Sequence, residues 1–122
     1  MRVRRRRLLA GVPGALALAG CTGGPGDPIT CLAVNRDDAD HRVTMWVARD
    51  DRLVVANAVT VGAGDVATVG ETPWRRGRYR VTVRVDGEAR VARQFRATEP
   101  FNQLDAVVAA DGSVTLNRGL AA

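Results

Sequence analysis

Lysine is absent from this chain of 122 residues, and histidine and serine occur once each, as His41 and Ser113. A Ser-His-Asp triad would have to use Ser113, which lies beside the turn signal Asp111-Gly112, and a turn role accounts for it. Cysteine occurs twice. His41, Cys31 and Met45 are too few to assemble a zinc or blue-copper site at ligand spacing. There is no Gly-rich phosphate loop and no metal-binding carboxylate motif. The acid pairs Asp37-Asp38 and Asp50-Asp51 are neighbours within turns, so they do not form the facing carboxylates of a glycosidase. These absences argue against an enzyme and leave no cofactor or metal to expect. Long apolar runs are missing too. The longest, Leu8–Ala19, is about 12 residues and is interrupted by Gly11, Pro13 and Gly14, whereas a bilayer-spanning helix needs roughly 20.

That short run is informative in its setting. Arg2, Arg4, Arg5, Arg6 and Arg7 precede it, and Leu18-Ala19-Gly20-Cys21 closes it, in the three-part order of a cleaved export signal. Leu18-Ala19-Gly20-Cys21 resembles the lipobox of lipoproteins, which implies cleavage before Cys21 and a lipid joined to its sulfur. Arg5-Arg6-Arg7-Leu8-Leu9 resembles a twin-arginine export signal, although an Arg-rich start also serves the general secretory route. An ordinary cleaved signal is the plainer alternative. The expected product is an extracytoplasmic protein facing the exterior, held on the cell membrane by lipid on Cys21. The bias to Arg, Asp, Ala and Val also resembles that of surface lipoproteins from halophilic archaea or actinobacteria.

The net charge of +5 is produced by the signal. From Thr22 onward the chain has 13 Arg and 13 acids, so a general affinity for nucleic acid does not follow. Residues 21–28 form a Gly/Pro linker after the signal of residues 1–20, and residues 29–122 suffice for one small domain. If Cys21 carries lipid, Cys31 has no intrachain partner and is expected to be a small buried hydrophobe. If it does not, a Cys21–Cys31 disulfide is open.

Within the domain the apolar period is two. Ile29-Cys31-Ala33, Val43-Met45-Val47, Leu53 to Val61, Asp65 to Val69, Tyr79-Val81-Val83-Val85, Ala89-Val91-Phe95, Leu104-Ala106-Val108 and Val114-Leu116 read as short strands. Turn signals separate them at Asn35 to Asp40, Arg49-Asp50-Asp51, Gly62-Ala63-Gly64, Asp86-Gly87 and Asp111-Gly112. Residues 102–110 also fit a short helix capped by Asn102. The fold class is all-β, an antiparallel sandwich of seven or eight short strands. The run Gly77-Arg78-Tyr79-Arg80-Val81-Thr82-Val83-Arg84-Val85-Asp86-Gly87 resembles the central hairpin strand of immunoglobulin-like and fibronectin type III-like surface domains. That resemblance implies an immunoglobulin-like sandwich used for binding or adhesion.

The same hairpin carries the candidate site. Tyr79, Val81, Val83 and Val85 take the inner parity, which sends Arg78, Arg80, Thr82 and Arg84 outward. Burying Arg90 opposite Val83 would be costly, so the expected loop is Asp86-Gly87-Glu88, three residues, pairing Val85 with Ala89 and Val83 with Val91. Arg84 then faces Arg90, and Arg78 faces Arg96. Arg93 falls on the inner parity, from which its long stem can snorkel to the sandwich edge. Between Arg75 and Arg96 eight arginines meet two acids, a net of +6, while the rest of the chain after Thr22 carries −6. Acidic strands and loops elsewhere could neutralise this face by salt bridges. Otherwise Arg78, Arg80, Arg84, Arg90 and Arg96 form an anion-recognising face for an anionic glycan, lipid head groups or an acidic envelope protein. Trp46, outward between Met45 and Val47, and Trp74, beside Arg75-Arg76, are interface candidates; packing over a sandwich edge is the commoner use of Trp. The alternative function is a structural or accessory subunit of a membrane or envelope complex, docked through a sandwich edge or Trp46 and binding no ligand of its own.

Overall fold

The computed structural model describes residues 27–120. The expected export signal with Arg5 and Arg6, the expected lipidation site Cys21, and the linker up to Gly26 lie outside the described residues. Eight strands follow in order: β1 (Pro28–Asn35), β2 (His41–Arg49), β3 (Arg52–Val61), β4 (Val66–Pro73), β5 (Gly77–Val85), β6 (Glu88–Ala97), β7 (Gln103–Val108) and β8 (Val114–Gly119). They form two four-stranded sheets, β4-β1-β7-β8 and β3-β2-β5-β6.

Alternation builds the core. In the first sheet Ile29, Cys31, Ala33, Val69, Leu104, Ala106, Val108 and Leu116 point inward, and in the second Val43, Met45, Val47, Val55, Val61, Tyr79, Val81, Val83 and Val85 do so. The two inner faces complement each other in size. The central strands β1 and β7 offer small Cys31, Ala33 and Ala106, whereas β2 and β5 offer Met45, Tyr79 and a run of valines. Each buried Val or Met contributes roughly 1.5–3 kcal/mol, so the second sheet supplies most of the apolar gain. Cys31 is a free, buried thiol; burial and then Asp105 and Glu71 push its pKa up to about 11, which keeps it protonated and unreactive.

Residues 102–110 resolve as strand β7, not helix. β7 runs parallel to β1, with Cys31 opposite Leu104 and Ala33 opposite Ala106. This is the one parallel pair among the described strands, and Leu104, Ala106 and Val108 need period two to reach the core together.

The loop after β5 differs from the expected three residues. Asp86 and Gly87 alone form the turn, with φ of 52° and 85°, and Val85 pairs with Glu88. Two positive φ values mark the turn whose twist matches the strands, and Asp-Gly tolerates them. The parity conflict is resolved by a bulge: Val83 pairs with Val91 and Arg84 with Ala89, leaving Arg90 as the extra residue. Arg84 therefore does not face Arg90, while Arg78 does face Arg96. A bulge stays solvated on an edge strand at little cost, so the core register survives a two-residue turn.

The strand directions put loops 36–40, 62–65, 86–87 and 109–113 at one end of the sandwich, here called the far end. The start of β1, the turn 50–51 and the loops 74–76 and 98–102 lie at the other, the entry end.

Candidate functional site

At the entry end a cluster of rings organises the arginines. Tyr79, wholly buried, donates its hydroxyl to the Arg75 carbonyl at 2.6 Å. A tyrosine at a strand start, bonded back to backbone four residues upstream, is the tyrosine corner of immunoglobulin-like sandwiches. Trp74 lies parallel to Tyr79 at 6.2 Å between centroids, Phe95 parallel at 5.5 Å, and Phe101 edge-on at 5.4 Å. Trp74 is thus a packing residue that also borders solvent. Trp46 stays outward and half-buried on β2, with the Arg84 guanidinium 5.5 Å from its ring centroid and Ala56 and Thr82 opposite it on the flanking strands.

The five candidate arginines are not equivalent. Arg80 pairs with Asp51 at 3.2 Å and Arg90 with Glu88 at 2.9 Å, while Arg84 covers Trp46. Both ion pairs are solvent-exposed and contribute little to stability. Arg78 and Arg96 stand directly opposite each other, and among the described residues neither guanidinium has a carboxylate at ion-pair distance. Salt bridges therefore neutralise part of the face and leave this pair. Arg93 is exposed on edge strand β6, opposite Val81.

Arg118 has no counterpart in the sequence reading. It takes the inner parity on β8, opposite Leu104, and its guanidinium lies 4.2 Å from the Phe95 centroid and 5.6 Å from that of Phe101. It closes the seam where edge strands β6 and β8 come together only loosely. A cleft of about 400 Å³ opens there, lined by Arg96, Thr98, Glu99, Phe101 and Arg118 among others. The only advance signal was that an Arg two residues after Leu116 shares its parity.

At the far end the charged groups are engaged with the backbone and with one another. Asn35, buried, donates Nδ2 to the carbonyls of Ala39, Val61 and Gly62 at 2.8, 3.0 and 3.2 Å, and its Oδ1 accepts from the Asp37 amide at 2.9 Å. His41 is held between Asp37 (Nε2 to Oδ2, 2.8 Å) and Asp86 (Nδ1 to Oδ2, 2.6 Å). Only the imidazolium donates to both carboxylates at once. Those hydrogen bonds raise the His41 pKa. The bond from His41 lowers that of Asp37, and the Arg42 amide, then His41, lowers that of Asp86.

Two four-stranded sheets packed face to face, a tyrosine corner and loops gathered at the two ends define an immunoglobulin-like β-sandwich. The model of the halobacterial Ig-like domain matches residues 39–122, and the chain belongs to that family. β1, central to its sheet, lies ahead of the matched segment. No curated protein matches the chain. Membership in the family suggests a surface or structural module, and sandwiches of this type are generally non-catalytic.

Proposed function

We propose that this chain is an exported, lipid-anchored, non-enzymatic binding or adhesion module of the cell envelope, and that it recognises an anionic ligand through arginines of the β5–β6 hairpin. The observation that carries the reading is the Arg78–Arg96 pair, set directly opposite across two strands with no carboxylate at ion-pair distance from either guanidinium among the described residues. Like charges in that position destabilise a sheet, and an anion held between two guanidinium forks reverses the sign of the interaction. The lipobox-like Cys21 and the family both fit a surface location.

The test measures binding of residues 22–122 to dextran sulfate over a salt series, beside an Arg78→Gln plus Arg96→Gln variant. Binding that weakens with salt and falls at least tenfold in the variant supports the reading. Equal binding by both proteins, or none, rejects it. The accessory-subunit alternative rests on Trp46, a half-buried ring on a central strand among small neighbours. It expects a salt-insensitive protein partner lost on Trp46→Ala.

A further inference from the structure

The entry of the chain into the sandwich and its most basic loop lie side by side. Pro28, the first residue of β1, is paired with Pro73, the last of β4, and Trp74-Arg75-Arg76 follows at once. Arg49 reaches the same point, its Nη1 donating to the Pro73 carbonyl at 3.4 Å, and Arg52 is opposite Arg49 across the β2–β3 hairpin.

The loop is held in place. The bond from Tyr79 fixes the Arg75 backbone, Trp74 stacks on the buried Tyr79 ring, and Arg75 Nη1 turns back onto the Trp74 carbonyl at 2.8 Å. Arg75 and Arg76 are exposed, and neither has a carboxylate at ion-pair distance among the described residues. The acids of the 50–51 turn are engaged: Asp50 Oδ1 accepts the Arg78 amide at 3.0 Å, and Asp51 pairs with Arg80. Glu71, the nearest acid by sequence, turns toward Thr30; Glu99, exposed in loop 98–102, and the half-buried Asp27 are the remaining acids on this end among the described residues. The far end carries Asp37, Asp38, Asp40, Asp65, Asp86 and Asp111 in or beside its loops. The molecule is therefore polar along its strands, acidic away from the point where the tether enters.

We infer that the entry end, centred on Arg75 and Arg76 with Arg49 and Arg52 beside them, is a contact surface for the anionic head groups of the bilayer that holds the Cys21 lipid. The inference rests on the lipid-anchored, anion-recognising reading and names its partner. From Cys21 to Pro28 the chain spans about 25 Å at full stretch, so the loop can reach the surface and cannot move farther from it than that span. Attraction to an anionic leaflet decays within a Debye length of roughly 8–10 Å. The end beside the tether comes inside that range most readily, and with it bound the acidic end is turned outward. A lipid chain plus a basic patch is the two-signal arrangement that stabilises anchoring.

The experiment uses residues 22–122, because the eight strands pair wholly within Pro28–Gly119 and the core needs nothing before them. Co-sedimentation is measured with phosphatidylglycerol vesicles and with phosphatidylcholine vesicles from low to high salt. Expected are binding to the anionic vesicles alone, loss with salt, and at least tenfold weakening in Arg75→Gln plus Arg76→Gln, since each basic residue near such a surface contributes roughly fivefold. Arg36→Gln plus Arg42→Gln removes the same charge at the far end and should bind as the parent does. Equal weakening by both variants, or equal binding to both vesicle types, overturns the assignment. Dextran sulfate run in parallel separates the two readings. A chain that binds it but not the anionic vesicles loses the head-group partner and keeps anion recognition; one that binds neither loses both. The mass of the full-length chain recovered from membranes reports acylation of Cys21 independently.

Discussion

The two ends of the sandwich carry charge in opposite ways. At the far end Asp37, Asp40, Asp86 and Asp111 accept hydrogen bonds from the amides of Asp38, Ala63, Arg42 and Ser113. At the entry end Arg75, Arg76, Arg78 and Arg96 project around a set of packed rings without acidic partners among the described residues. The difference follows from the side chains. Tight turns leave backbone N–H groups exposed, and a carboxylate, which only accepts, satisfies them. A guanidinium only donates and cannot satisfy those N–H groups; where it meets backbone it bonds a neutral carbonyl, as Arg75 does with Trp74, and its charge stays without an opposite partner. The balance of +6 and −6 along the chain is thus not a set of mutual salt bridges, because the acids are largely occupied elsewhere.

If the entry end is held by rings and the far end by polar bonds, truncating Tyr79 should be the most damaging single change. Tyr79→Ala is expected to cost about 3–5 kcal/mol, lowering Tm by roughly 15 °C or more for a domain of this size. Tyr79→Phe, which removes only the bond to Arg75, should cost about 1 kcal/mol. At the far end Asn35→Ala leaves the carbonyls of Val61 and Gly62 short of a donor and should cost roughly 2–3 kcal/mol. Thermal melts that rank Asn35→Ala above Tyr79→Ala would reverse the comparison.

Smaller effects bear on the seam and the register. Arg118→Met keeps apolar cover over Phe95 and removes the cation, so a loss of about 1 kcal/mol is expected by chemical denaturation. Deleting Arg90 should change stability by less than about 1 kcal/mol, since the ladder is in register on both sides of it. A three-residue loop without a bulge would instead place every residue before the deletion on the wrong face, and a large loss on deletion would restore that register. A deleted bulge also leaves β6 a flatter edge, and aggregation should rise.

Much of this was readable from residues alone. Cys31, Met45, Val83 and Leu116 announce their burial because period two is enforced by the pleat, whatever the neighbours. Arg78 opposite Arg96 followed from the same rule. The bulge at Arg90 did not, because turn type and register compete, and a two-residue turn with a bulge keeps Val83 on Val91 just as a three-residue loop does. Arg118 was not legible as a seam residue, since its place over Phe95 depends on how loosely β6 and β8 approach. The His41 clasp joins Asp37 to Asp86, which lies 45 residues beyond His41, and nothing local to His41 signals the second carboxylate. Trp74 and Tyr79 were visible as an aromatic and a strand residue, but the bond to Arg75 that makes them a corner is a matter of geometry.

The clasp gives the far end a pH dependence. His41 has its pKa raised above the ordinary 6.5 by bonds to Asp37 and Asp86, so its stabilisation is complete below 6.5 and is lost as pH rises through the raised value. Asp37 and Asp86 have theirs lowered below the ordinary 3.8, so their contribution is present above 3.8 and is lost as pH falls through the lowered values. Asp111, lowered by the Ser113 side chain and amide, acts in the same direction. The urea midpoint should therefore be highest between about 3.8 and 6.5 and decline on both sides. Among the described residues the other raised group is Cys31, which does not begin to matter until pH passes its ordinary 9.0, so a decline between 6.5 and 9 belongs to His41. His41→Gln should flatten that limb and shrink the acid limb to what the Arg42 amide at Asp86 and Ser113 at Asp111 sustain, and added salt should weaken both, because the clasp lies near the surface. An upper limb that persists unchanged in His41→Gln would mean that the far end is held by Asn35 and the turn bonds alone.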